Sequence, residues 1–257
     1  MNINQTGSQY QRIHLQPAYI LHTKDFQNTS LLIDVFTLNH GRIRVVAKGA
    51  KRLKSAFSGK LQLFAPLLIS WSGKSDLYTL TDVDSTNAQN SSYLNGQLHL
   101  RGASLLSAYY INELILRFMT LEDPHPELFY YYVDALEKLI LKQNVESVLR
   151  VFEKWLLHES GYSLVLTHDT QSGEAVDENS NYHYLVDDGP VLVQQQDTVA
   201  SNGLFVVAGS TLLDLERGIF RDAESLKQAK QLMRIIISGH LGDKPLKTRT
   251  LFQSTIL

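Results

Sequence analysis

The segment SLLIDVFTLNHGRIRVVAKGAKRLKS, residues 30–55, sets the reading of the chain. SLLIDVFTL and RIRVVAK are β-branched and aromatic runs with partial alternation, broken at Asn39-His40-Gly41. They read as two short strands with a turn between them. The last nine residues, AKGAKRLKS at 47–55, hold four basic side chains, no acidic one and a glycine. A strand that runs out into a basic loop poses a question about phosphate. The loop grips a nucleotide for chemistry, or it lies along the backbone of a polymer.

Working outward, AYILHTK precedes the segment, and LQLFAPLLISW and LYTLTDV follow it. Five short strands between residues 17 and 83 predict a small closed or half-closed barrel. An SH3-like barrel or half a sandwich gives a similar pattern. The polar start, MNINQTGSQY, has no basic-then-apolar signal pattern, and residues 1–16 read as a flexible tail. After Asp84 the period changes. Residues 98–120 are apolar enough for a buried helix. Residues 127–142 carry Leu128, Phe129, Tyr132, Val133, Leu136, Leu139 and Ile140 at helical spacing, behind the entry residues Pro124 and Pro126. Residues 145–160 predict a third helix, with Gly161 as its stop. A helical bundle follows from these stripes. Residues 167–208 are polar, acidic and rich in turns, with a hairpin expected around YHYLVDDGPVLV at its Asp-Gly. A short helix at 212–216 and a last one at about 222–240 complete the pattern. The class is α+β: a barrel at 17–83, then a helical domain at 84–257 with a small irregular or β insertion at 167–208.

The 257 residues include 24 basic and 26 acidic ones, a net charge of -2 that conceals an uneven distribution. From Val35 to Ser75 there are eight basic residues and no acidic one: Arg42, Arg44, Lys48, Lys51, Arg52, Lys54, Lys60 and Lys74. A second basic stretch, Arg217 to Arg249, holds Lys227, Lys230, Arg234, Lys244, Lys247 and Arg249. Between Lys154 and Arg217 no lysine or arginine occurs. Such segregation points to an anionic partner.

Enzymatic readings fail on spacing. WSGKS at 71–75 resembles the end of a phosphate loop, but the required upstream glycine position is Leu68, inside an apolar strand. In the basic loop the residue before Lys54-Ser55 is Leu53, not glycine. The nine histidines show no metal-ligand spacing, and the chain has no cysteine. Glu174, Asp177, Glu178, Asp187 and Asp188 do not form a calcium loop and read as a solvated acidic loop. GYS at 161–163 lacks the last glycine of a nucleophile elbow, since Val165 stands there. No catalytic residue, cofactor or metal is expected. No apolar run approaches a membrane span.

Binding remains. Basic strands and a basic loop interleaved with Phe57, Phe64, Trp71 and Tyr78 suit a groove that tracks a phosphate backbone and stacks bases. Against that, Phe64 reads better as core, and Trp71 fits either role.

Five segments in matching order resemble the RecO family of bacterial recombination mediators: residues 30–55, FAPLLISWSGKSDLYTL, YYINELILR, LRVFEKWLLHESGY and LGDKPLKTRTLF. The resemblance runs from about residue 17 to 253. It implies an N-terminal OB-fold barrel, a helical domain and a C-terminal part packed on it, without enzymatic activity, and a cytoplasmic, nucleoid-associated protein. It also implies binding of single- and double-stranded DNA, annealing of complementary strands, and contact with the acidic C-terminal tail of single-strand-binding protein. With RecR, members of the family help RecA load at gaps. Many members carry a four-cysteine zinc site after the GY segment; here THDTQSGEAVDENSNYHY has no cysteine, so that site is not expected. The matching positions for DNA are Arg42, Arg44, Lys48, Lys51, Arg52 and Lys54, with Lys60 and Lys74 weaker. Arg150, in the LRVFE segment, is the position for the partner tail, where a guanidinium receives a carboxylate. Its plain alternative is a helix pair with Glu146 or Glu153. Lys227, Lys230, Arg234, Lys244, Lys247 and Arg249 extend the basic surface or, for the first three, form an ordinary solvated helix face. A second reading is a protein-interaction scaffold whose helical domain binds partner tails, with DNA contact secondary.

Overall fold

The computed structural model describes residues 10–74, 77–85, 100–194, 205–242 and 245–248. Its first five strands are β1 (Gln11–Phe26), β2 (Ser30–Thr37), β3 (Gly41–Ala47), β4 (Leu67–Gly73) and β5 (Tyr78–Asp84). They close into a barrel in the order β1-β2-β3-β5-β4, which leaves no free edge. β3 and β5 run parallel, and the other pairs are antiparallel. That Greek-key closure is the OB-fold topology. Strand β1 pairs with both β2 and β4, with register shifts at Ile13/Gln16 and Ile20/His22 where it turns the corner. It begins at Gln11, so residues 11–16 belong to the strand rather than to a tail. Side-chain alternation sends Ile33, Val35, Ile43, Val45, Leu67, Ile69 and Trp71 into the barrel, where they pack with Tyr78, Leu80 and Val83.

The remaining elements are α1 (Gly102–Phe118), α2 (Pro126–Ile140), α3 (Val145–Glu159), β6 (Asn181–Leu185), β7 (Gly189–Leu192), β8 (Phe205–Ala208), α4 (Gly209–Arg217) and α5 (Ala223–Leu241). Compactness divides the chain into two units, with cuts between Arg101 and Gly102, inside α1 between Ile111 and Asn112, and after Ile140. The unit that holds the barrel therefore also holds α2.

The reason lies in the aromatic stripe of α2. Phe129 and Tyr132 pack on the outward-facing Tyr19 and Phe36 of β1 and β2, with ring centroids 5.2–5.9 Å apart in tilted or edge-on geometry. The Tyr132 hydroxyl donates to Asn112 Oδ1 at 2.8 Å, and Asn112 Nδ2 donates to the Leu21 carbonyl at 2.9 Å. Burial, with Glu137 nearby, pushes the Tyr19 hydroxyl up to about 12; burial also raises Tyr132, so both stay protonated donors. The β2–β3 turn needs its glycine. Gly41 has φ +61°, and a Cβ there would lie 1.8 Å from the Asp123 carbonyl oxygen.

In the other unit, Asn144 caps α3 by accepting from the Ser147 N–H, and Asp222 caps α5 through Ser225. Helix α3 stops as expected at Gly161, φ +84°. The Tyr162 and Gly161 N–H groups donate to the carbonyls of Leu157 and His158. The hairpin expected at the Asp-Gly forms as β6 and β7, and β8 joins it to give the order β7-β6-β8.

Candidate nucleic-acid interface

The basic loop is built from successive tight turns. Ala50 N–H donates to the Ala47 carbonyl, Arg52 to Gly49, Ser55 to Arg52, Ser58 to Ser55, and Lys60 to Phe57. Gly49, at φ +70°, permits the departure from β3. The Lys51 N–H donates to the Thr29 carbonyl, which ties the loop to the β1–β2 turn. Ala50 and Phe57 pack against the barrel core and pin both ends of the exposed run between them. The result is a hydrogen-bonded protrusion that holds its charges in place.

The eight basic residues of the barrel segment separate into two groups. Arg42 is half-buried and donates from Nη1 to the Leu116 carbonyl at 2.6 Å. Burial lowers its pKa, partly opposed by Asp34. Arg44 pairs across strands with Asp34, its Nε and Nη2 donating to one carboxylate oxygen at 3.2 and 3.1 Å. Lys60 donates to the Val83 carbonyl. Lys51 pairs with the exposed Asp25 at 2.7 Å. Lys48, Arg52, Lys54 and Lys74 are exposed and make no ion pair with a described residue. Lys74 lies just beyond the end of β4, outside the loop that carries the other three. Lys48, Arg52 and Lys54 therefore form the open cluster.

Lys24 joins that end of the barrel. It is exposed near the end of β1, opposite Leu32, while Leu31 pairs with Ala47 at the start of the loop. Counting charges from Val35 onward passes over it, because Asp25 stands beside it in sequence. Only strand register places it here.

The expected stacking platforms are absent. Phe64, Trp71 and Tyr78 are buried, and Phe57 packs on the core. Trp71 shares strand parity with Ile69 and Leu67, so the alternation that makes β4 a barrel strand turns the indole inward.

Arg150 lies on α3 with its side chain 5% exposed, and its Nη2 donates to Glu153 Oε1 at 2.5 Å. The Tyr110 hydroxyl donates to the same oxygen at 2.7 Å. Of the two helix pairs considered, the one with Glu153 forms, because Glu146 is taken by Lys230 of α5 at 2.8 Å. Lys227 pairs with Glu224, Arg234 is exposed without an ion pair to a described residue, and Lys247 is exposed. Lys244 and Arg249 lie outside the described residues.

Two carboxylates of the acidic insertion, Asp169 and Asp177, serve its turns. Asp169 accepts the N–H groups of Gln171, Ser172 and Leu192 at 2.8, 2.7 and 2.6 Å. Burial pushes its pKa up, but these donors outweigh it and leave the group below the ordinary range. Asp177 is lowered by the Ser180 hydroxyl and the Asn179 N–H. Among the described residues no three histidine or acidic side chains gather to hold a metal, and no helix is long and apolar enough to cross a membrane.

The chain matches the family model described as Recombination protein O N terminal over residues 12–89, and Recombination protein O C terminal over residues 99–250. It is 43% identical over 246 residues to the DNA repair protein RecO of Azoarcus sp. strain BH72, covering 96% of this chain and 98% of the relative. Identity to the DNA repair protein RecO of Coxiella burnetii strain RSA 331 is 43% over 240 residues, covering 93% and 98%. With that of Nitrosospira multiformis it is 41% over 247 residues, covering 95% and 96%.

Proposed function

The chain belongs to the recombination protein O family, and from that premise we propose that it is a DNA repair and recombination mediator that holds DNA by charge at the loop end of its barrel. The observation that carries the reading is the turn-built protrusion on a closed OB barrel, where Lys48, Arg52 and Lys54 are exposed without an ion pair to a described residue. Fixed cations at a barrel rim attract the phosphates of single and double strands alike and read little sequence. Two strands held near the same cations repel each other less, and complementary segments then pair. Arg42, Arg44 and Lys60 support the loop and sheet from beneath; Lys51 contributes through an exposed pair that a phosphate readily replaces.

The finer part of the proposal is what the family resemblance implies. The protein anneals strands coated by single-strand-binding protein and, with RecR, assists RecA loading. The acidic tail of single-strand-binding protein is received in the α3 region at Arg150, where its terminal carboxylate takes the place of Glu153 on the guanidinium. The test is annealing of complementary oligonucleotides, bare and coated with single-strand-binding protein. Purified protein accelerates both, and a variant with Lys48, Lys51, Arg52 and Lys54 all changed to alanine loses the acceleration while remaining folded. Normal annealing by that folded variant would remove the loop from the function.

A further inference from the structure

Leu53 stands at the apex of the basic loop. The Ser55 N–H donates to the Arg52 carbonyl, which places Leu53 and Lys54 at the two central positions of that turn. Leu53 follows Ala50 by three residues and precedes Phe57 by four, a spacing that on a helix puts all three on one apolar face. The turns break that alignment. Ala50 and Phe57 pack on the core, and Leu53 points away, at 103% of its reference exposure. Among the described residues no other large apolar side chain is as exposed. Its sequence neighbours Arg52 and Lys54 are exposed cations, so a polyanion drawn to the loop meets Leu53 first.

An aliphatic side chain offers no aromatic plane on which a base can stack, and Phe64, Trp71 and Tyr78 of the barrel are buried. An apolar tip between cations suits a different contact, insertion between neighbouring base pairs of a duplex while the cations take the flanking phosphates. We propose that Leu53 is a wedge that enters double-stranded DNA from the minor groove and opens one base step, with Arg52 and Lys54 clamping the phosphates on either side. The proposal rests on the DNA-binding reading above and names a contact within that same site. An opened step is a weak point in the duplex, which suits a protein that exchanges and pairs strands.

The test uses the full chain, a short duplex with 2-aminopurine at single positions, and the matching single strand. Wild-type protein raises 2-aminopurine fluorescence in the duplex, the sign of an unstacked base. Leu53→Ser removes that rise and weakens duplex affinity about tenfold, the scale of one lost buried leucine, with the salt dependence unchanged. Leu53→Phe retains the rise. Because Leu53 packs on nothing, both variants fold, which circular dichroism verifies. Tight binding by wild type without a rise in the duplex, a rise only in the single strand, or a rise that persists in Leu53→Ser would overturn the wedge and leave the DNA reading standing. Failure of wild-type protein to bind either probe would defeat the DNA reading and the wedge with it.

Discussion

Replacing Arg150 with alanine is expected to destabilise the protein before it alters any partner contact. The guanidinium and the Glu153 carboxylate are 5% and 1% exposed, and they meet at 2.5 Å. Removing one partner of a buried pair leaves the other charge without its counterion, at a cost of ~3–5 kcal/mol. Against a typical domain stability of roughly 5–15 kcal/mol that is a large share. With a slope of about 3 kcal/mol per molar urea for a chain of this size, the midpoint drops by roughly 1–2 M. The variant pair Arg150→Met and Glu153→Leu removes both charges and recovers most of the loss, because an apolar replacement leaves no buried ion. Glu153→Gln keeps an acceptor for Tyr110 and releases the guanidinium, so it tightens binding of a peptide with an acidic, phenylalanine-ending tail. Urea denaturation compares these proteins, and the single variants Arg150→Met and Glu153→Leu close the double-mutant cycle. A drop of less than about 0.5 M for Arg150→Ala, with unchanged slope, would refute the reasoning, since a pair that costs so little to break is not buried as described.

Two further outcomes follow from the same geometry. Gly41→Ala forces a side chain toward the Asp123 carbonyl at positive φ and destabilises the barrel unit by ~2 kcal/mol or more, measured by thermal melting; an unchanged melting temperature would mean that the 121–123 segment does not close on the turn. Asp169 and Asp214 have lowered carboxyl pKa values when folded. Their stabilisation is complete above the unfolded value of about 3.9 and is lost as pH falls through the lower folded values. Asp169→Asn therefore narrows the stability difference between pH 7 and pH 3, and an unchanged difference in denaturation curves would exclude Asp169 as a source of acid sensitivity.

Local signals in the sequence carried much of the fold. The strands flanking Asn39-His40-Gly41, the α3 stop at Gly161 and the hairpin at Asp188-Gly189 each rest on a few adjacent residues, and each forms. The partner of a stripe is a different matter. Leu128, Phe129, Tyr132 and Leu136 make an apolar face that fits a bundle or a barrel equally well, and only Tyr19 and Phe36, a hundred residues upstream, decide between them. The short β8 gave no period to detect, with four residues. For the interface, the charge run marks the loop, but charge alone does not separate exposed cations from those already engaged by the fold. Arg42 and Arg44 are engaged by Leu116 and Asp34, which reach them by tertiary contact and strand register. Trp71 was ambiguous for the same reason: its parity with Ile69 was visible, while the face turned to the core was not.

The central claim is that a few open cations at the loop end of the barrel supply the DNA affinity. Its most direct measurement is the salt dependence of single-strand binding by wild-type protein and by the variant with Lys48, Arg52 and Lys54 changed to alanine, beside the single variant Arg44→Ala. Each neutralised phosphate contributes about 0.7 to the log–log slope on a single strand. The account predicts that the triple variant is shallower by about 2 and that Arg44→Ala keeps the wild-type slope. Equal slopes for wild type and the triple variant, or a slope lost with Arg44 alone, would contradict it.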